Sequence, residues 1–161
     1  MSDDRMLPDW IDSYMAYVDN TEPAEAFKLW TAIFCIVACL KRKCFLDWGT
    51  ITFYPNMYIV LVGPSGCRKG TAMGPGFSML TELNVRMAAE ATTRESLIRE
   101  LCRTGSETSV SEEGNLELHS SLSIFSQELS VFLGYNNMQL MSDLTDWYDC
   151  RARWRLSLIH I

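Results

Sequence analysis

Residues 57–71 read Met57-Tyr58-Ile59-Val60-Leu61-Val62-Gly63-Pro64-Ser65-Gly66-Cys67-Arg68-Lys69-Gly70-Thr71. The apolar, partly β-branched first part is typical of a central parallel strand that is covered on both faces. Two glycines, Gly63 and Gly66, follow at once and give the backbone the freedom that a tight turn requires. We expect a helix to start inside this turn and to run to about Leu83, with Gly74-Pro75-Gly76 as an early interruption. The pattern predicts strand, loop and helix, and hence an α/β fold.

The loop from Gly63 to Thr71 matches the pattern of a phosphate-binding P-loop. In such a loop, backbone N–H groups and a helix N-terminus converge on an anion, while a lysine adds positive charge at the outer phosphates. Lys69 stands at the position of that lysine. The alternative is an ordinary tight turn between a strand and a helix. We predict that ATP binds here, through the residues Gly63, Pro64, Ser65, Gly66, Cys67, Arg68, Lys69, Gly70 and Thr71.

The loop departs from the P-loop pattern at two positions. Arg68 replaces a glycine, and Gly70 replaces the serine or threonine whose hydroxyl contacts Mg²⁺. Arg68 is compatible with binding if its φ is negative, and its guanidinium can itself contact phosphate. Thr71, one residue later, is the candidate for the magnesium contact, and a water molecule in that position is the alternative.

Hydrolysis requires a carboxylate that positions a water molecule near the γ-phosphate. Gln127-Glu128 ends the strand-like segment Leu122–Ser126, as Asp-Glu ends the strand that carries the acidic residues in P-loop ATPases. Glu128 is therefore the predicted catalytic residue beside Lys69, and Gln127 the predicted metal-side residue, which lacks the negative charge of aspartate. In a second assignment, Glu90 orients the water and Glu128 lies on the metal side. A surface glutamate at a strand end is the alternative for each.

The rest of the chain predicts an N-terminal helical segment, residues 1–48, in front of a P-loop core, residues 49–155. The remaining predicted elements are helices at about Leu7–Val18 and Ala24–Leu40, a short hairpin or two edge strands at Cys44–Tyr54, strands at Val85–Ala91 and Leu116–Ser126, a polar loop at Gly105–Asn115, and helices at Thr93–Leu101, Leu129–Leu133 and Met138–Tyr148. Residues 156–161 resemble the translated read-through of a sequencing adapter. We interpret them as a non-native tail and the core as an incomplete domain.

Composition limits the classes of function. The 161 residues are 48% hydrophobic and carry a net charge of −6, which argues against a broad basic surface for nucleic acid. The six cysteines have no paired C-x-x-C spacing, so reduced thiols in a cytoplasm are the simpler interpretation. The longest apolar run, Leu29 to Leu40, is shorter than the ~20 residues that a membrane span requires, so we predict no membrane partner.

These motifs together resemble the phage and prophage P-loop proteins of an uncharacterised primase–helicase-associated domain family. The similarity covers most of residues 7–150, although the P-loop is its one sharply specific motif. The segments that carry it are Leu7–Trp10, Tyr54–Gly66, Arg68–Ala72, Thr93–Leu97 and Ser121–Leu133.

The resemblance implies a RecA-like ATPase of viral DNA replication in the cytoplasm of the host cell. It implies a homo-oligomer, a hexamer in such motors, that couples ATP hydrolysis to movement on single-stranded DNA through a region beyond this chain. Two alternatives come from other classes. One is a small-molecule P-loop kinase, and the other is a nucleotide-binding regulator that does not hydrolyse ATP.

Overall fold

A computed structural model of the chain describes residues 6–90, 93–104, 107–110 and 116–150. Residues 151–161, with the predicted tail 156–161, lie outside this part. The described part is a mixed α/β structure. Its elements in chain order are α1 (Trp10–Tyr17), α2 (Glu25–Leu40), β1 (Leu46–Trp48), β2 (Ile51–Phe53), α3 (Lys69–Glu82), β3 (Met87–Ala88), α4 (Arg94–Thr104), β4 (Glu107–Val110), β5 (Leu116–His119), β6 (Ser123–Ile124), α5 (Leu129–Leu133) and α6 (Met138–Tyr148).

Local sequence signals explain where several helices begin. The carboxylate of Asp9 accepts a hydrogen bond from the backbone N–H of Asp12 (2.9 Å) and caps α1, so Pro8 precedes the cap instead of lying in the first turn. Thr93 caps α4 in the same way, because its hydroxyl accepts from the N–H of Ser96. The predicted helices at Ala24–Leu40 and Met138–Tyr148 are confirmed to within one residue.

Of the two alternatives predicted for Cys44–Tyr54, the hairpin is confirmed. Strands β1 and β2 pair antiparallel across Gly49, which has a φ of +65° that favours glycine at the turn. The pairs Leu46–Phe53 and Trp48–Ile51 lie on one face, and all four side chains are more than half exposed. This hairpin therefore contributes little to the core.

The prediction of a central strand at Met57–Val62 is wrong. These residues are in no strand of the described structure, and alternate side chains from Tyr58 to Val62 are 54–81% exposed. The segment is anchored instead to α6, since the hydroxyl of Tyr58 donates to the carbonyl of Leu144 (2.6 Å). The apolar run indicates a preference for burial, but a strand also requires a neighbouring strand for its backbone hydrogen bonds. In the described part, β3 and β6 pair with each other and neither pairs with Met57–Val62.

The centre of the structure is the parallel pair β3–β6, with Met87 opposite Ser123 and Ala88 opposite Ile124. Side chains alternate across this pair, as in any strand. Met87 packs against a cluster formed by Cys35, Ala38, Leu80 and Phe125, which α2 and α3 share. On the other side, Ala88 and Ile124 pack against a cluster from α4, α5 and α6, namely Leu97, Phe132 and Leu140.

The described strands form three sheets of two strands each. Two further expectations are wrong in part. The predicted polar loop Gly105–Asn115 contains the strand β4, which pairs antiparallel with β5, and the predicted strand Leu116–Ser126 is divided into β5 and β6. Polar composition favours a loop, but a hairpin is stabilised by backbone pairing that composition does not record.

Helix α3 runs through Gly74-Pro75-Gly76 without a break. Gly76 is fully buried against α2, and a Cβ atom there would lie 2.6 Å from Cγ2 of Thr31 and 2.8 Å from Sγ of Cys35. Gly74 precedes Pro75, a position at which a side chain disfavours the helical conformation. The two glycines therefore let a proline-containing helix pack closely on α2. The N-terminal helices share their hydrophobic clusters with α3, and the predicted boundary at residue 48 stays a prediction.

Among the residues that the structure describes, no helix has both the length and the apolar character to cross a membrane.

Candidate functional site

The predicted phosphate loop forms a tight turn that leads directly into α3. Gly66 and Arg68 both have left-handed backbone, with φ of +82° and +59°, and Lys69 is the first residue of the helix. The first N–H groups of a helix have no partner within it, and the helix dipole places partial positive charge at this end. The turn therefore brings Lys69 and these N–H groups to one place, which suits an anion.

The ammonium group of Lys69 is held by the loop itself. Its Nζ donates to the carbonyl oxygens of Gly63 (3.1 Å) and Pro64 (3.4 Å) and lies 3.4 Å from Sγ of Cys67. These contacts curl the side chain back across the loop. A phosphate group bound there would compete with neutral carbonyl acceptors, and a charged acceptor forms the stronger hydrogen bond.

Gly63 is required by the packing beneath the loop. A Cβ atom at this position would lie 2.7 Å from Sγ of Cys67 and 3.2 Å from the ring of Phe27. Phe27 belongs to α2, which thus supports the start of the loop. The sequence explains Gly63 by the P-loop pattern, whereas the structure adds that a side chain at this position would force Cys67 to shift and would crowd Phe27 of α2.

The segment after β6 runs along α3 towards the loop. The rings of Phe77 and Phe125 meet edge to face with centroids 5.6 Å apart. One helical stripe, Gly70, Met73 and Phe77, faces this segment. At its end, Oε1 of Gln127 lies 3.4 Å from the Cβ position of Gly70. The structure therefore brings together Gly70 and Gln127, two departures from the usual residues of P-loop ATPases that are 57 residues apart in the sequence.

The two candidate glutamates lie at the edge where the parallel strands β3 and β6 end. In α/β folds, ligands bind at the carboxyl ends of parallel strands. Glu90 follows β3 and is exposed, and Glu128 follows β6 and is also exposed. Glu128 has extended backbone, and neighbouring side chains point to opposite sides of extended backbone. Gln127 is the residue that lies beside Gly70, and the choice between Glu90 and Glu128 stays open.

Comparisons of the chain with protein-family models, with curated proteins and with solved structures find no match. The loop and its surroundings therefore carry the functional argument alone. The predicted roles of Lys69, Glu128 and the residues Gly63–Thr71 stay predictions.

The residues around the loop fit a magnesium ion poorly. Gly70 has no hydroxyl, and Gln127 offers a neutral amide where a carboxylate is expected. Thr71 is exposed in the first turn of α3, but its side-chain direction is rotated by about 100° from that of residue 70. Elsewhere in the described part of the chain, no three His, Cys, Asp or Glu side chains converge to hold a metal ion. The magnesium ligands Thr71 and Gln127 stay predictions.

Sequence reasoning missed one residue at the loop, Glu22. Its Oε2 accepts from Nε of Arg68 at 3.0 Å, in an ion pair whose side chains are 75% and 62% exposed. Glu22 lies in the turn between α1 and α2, which Lys28 stabilises by donating from its buried Nζ to the carbonyl of Thr21 (2.8 Å). No sequence signal could have found this contact, because it joins residues 46 positions apart.

A cavity of about 210 Å³ lies away from the loop. It is lined by residues 54–58, the end of α2, the start of β6 and the end of α6, and no residue of Gly63–Thr71 contributes to it. The guanidinium of Arg42, at its wall, lies 4.3 Å above the ring of Tyr54. The candidate phosphate site is therefore an open surface loop, separate from this cavity.

Proposed function

We propose that this chain binds the triphosphate group of a nucleotide, with ATP as the ligand, through the loop Gly63–Thr71. The observation that carries the proposal is the left-handed turn at Gly66 and Arg68, which delivers Lys69 to the N-terminus of α3. A triphosphate gains charge-assisted hydrogen bonds from the ammonium and favourable interaction with the helix dipole.

Hydrolysis is the further part of the proposal. Glu128 would orient the attacking water, and Lys69 would neutralise charge that develops on the phosphates. The RecA-like fold, the replication role and the single-stranded DNA partner are supported by the resemblance to phage and prophage primase–helicase-associated proteins. Under that proposal the chain works as part of a helicase or primase–helicase.

A second function, nucleotide binding without hydrolysis, is favoured by one observation. Gln127, and not a carboxylate, is the side chain directed at the first turn of α3. A neutral amide cannot act as a base. A regulator that senses nucleotide would need the loop but no base.

The test measures ATP binding and ATP hydrolysis by the intact protein, with and without single-stranded DNA. Lys69→Ala should weaken binding at least about tenfold, equivalent to about 1.4 kcal/mol. Lys43→Ala, which removes an exposed lysine on the segment after α2, is the matched control and should bind as the unaltered protein does. Equal binding by Lys69→Ala and Lys43→Ala would contradict the proposal.

Glu128→Gln separates the two functions. If the motor function is correct, this variant retains binding and loses turnover, and DNA stimulates turnover by the unaltered protein. Binding without turnover in the unaltered protein would instead support the regulator.

A further inference from the structure

Gly70, in the first turn of α3, and Gln127, in the segment after β6, form a neutral pair. Oε1, Cδ and Cγ of Gln127 lie 3.4, 3.6 and 4.0 Å from the Cβ position of Gly70, which is ordinary van der Waals contact. P-loop sites that depend on a divalent cation place a hydroxyl at one of these positions and a carboxylate at the other. Both groups are absent at this pair, so the two substitutions act on the same point in space.

The loop itself carries two cationic side chains, Arg68 and Lys69. Lys69 lies over the loop, and Arg68 extends from it to an exposed pair with Glu22. A carboxylate beside residue 70 would repel a triphosphate that carries no cation, and a bound cation would relieve that repulsion. The carboxamide of Gln127 exerts no such repulsion. The ammonium of Lys69 and the neutral amide beside Gly70 therefore leave this point of the loop compatible with a triphosphate that carries its full negative charge.

We infer that this site binds a nucleoside triphosphate without requiring a divalent cation, because the neutral pair Gly70–Gln127 replaces the hydroxyl and the carboxylate that make P-loop binding depend on the metal. The inference rests on the proposed function, since it concerns the same loop. It adds that the identity of residue 127 sets the metal dependence of binding.

The experiment measures the dissociation constant of a fluorescent ATP analogue, with unlabelled ATP as competitor, in excess Mg²⁺ and in excess EDTA. The unaltered protein should give two constants within about threefold of each other, a difference of less than 1 kcal/mol. Gln127→Asp should bind ATP more weakly in EDTA and regain affinity in Mg²⁺. Its dissociation constant in EDTA should be at least about ten times its dissociation constant in Mg²⁺. Gly70→Ser combined with Gln127→Asp should increase this ratio further.

Gln139→Asp is the matched control. It introduces the same charge at an exposed position of α6, on the opposite side of the β3–β6 pair from α3. Its ratio of constants should equal that of the unaltered protein. Circular dichroism and a denaturation midpoint for each variant show whether it is folded.

The outcomes separate this inference from the proposed function. If the unaltered protein binds in neither condition, or if Lys69→Ala binds equally well, the proposed function fails. If it binds in Mg²⁺ at least about tenfold more tightly than in EDTA, the proposed function stands and the inference is overturned. A folded Gln127→Asp variant with the same ratio as Gln139→Asp also overturns it.

Discussion

Replacing Gly76 by alanine should destabilise the protein although alanine is the better helix former. The new Cβ would lie 2.6 Å from Cγ2 of Thr31 and 2.8 Å from Sγ of Cys35, two side chains of α2 that are 4% and 2% exposed. Neither atom has free space to move into, and overpacking of this kind costs about 1–3 kcal/mol. The gain in helix propensity offsets about 1 kcal/mol. Two close contacts place the cost at the upper end, so we expect a net loss of about 2 kcal/mol.

Urea denaturation followed by circular dichroism measures this loss as a change in the free energy of unfolding. Ser78→Ala, at an exposed position of the same helix, is the control and should change stability by less than about 0.5 kcal/mol. Thr31→Ser removes Cγ2 and keeps the hydroxyl that donates to the carbonyl of Phe27 (2.9 Å). In combination with Gly76→Ala it should recover about 1 kcal/mol relative to the sum of the single changes.

Two results would refute the reasoning. One is a Gly76→Ala variant as stable as Ser78→Ala, since the close approach of α3 to α2 would then not exist. The other is an additive double-mutant cycle between Gly76 and Thr31, because the loss would then have a cause other than this contact.

Two further predictions concern the core. Asp143→Ala should lower the free energy of unfolding in urea by about 2 kcal/mol, because it removes the 2.6 Å ion pair between Asp143 (11% exposed) and Arg94 (18% exposed). The control is Arg103→Ala, which removes a more exposed ion pair with Glu100 and should cost less than about 0.5 kcal/mol. Equal losses in the two variants would contradict the prediction. Burial raises the pKa of the Cys35 thiol to about 12. At pH 8, iodoacetamide should therefore label the exposed Cys44 well before Cys35, which peptide mass spectrometry would detect. Equal labelling of the two cysteines in the folded protein would argue against a buried Cys35.

Much of the secondary structure followed from neighbouring residues. The helices at Ala24–Leu40 and Met138–Tyr148 and the turn at Gly49 each depend on contacts within a few positions, and each is present in the structure. The loop at Gly66 and the start of α3 near Lys69 were predictable for the same reason. The strand at Met57–Val62 was not, because its formation depends on a partner from another part of the chain.

The candidate site likewise has some features that the sequence predicts and others that only the tertiary structure shows. The P-loop pattern alone placed Lys69 at the N-terminus of a helix, since backbone freedom at glycine and helix-starting propensity are local properties. The pattern could not show that Glu22 pairs with Arg68. It could not show that Gln127 lies beside Gly70, which ties the two departures from the pattern to one point.

The sequence by itself determined the turn, the helices and the hairpin, because dihedral preferences and side-chain periodicity act over a few residues. The tertiary structure alone decided that β3 pairs with β6, that Gly76 packs closely against α2, and that Gln127 faces the loop. These are contacts between segments distant in the chain. They depend on which surfaces pack together, and therefore on all of the core residues at once.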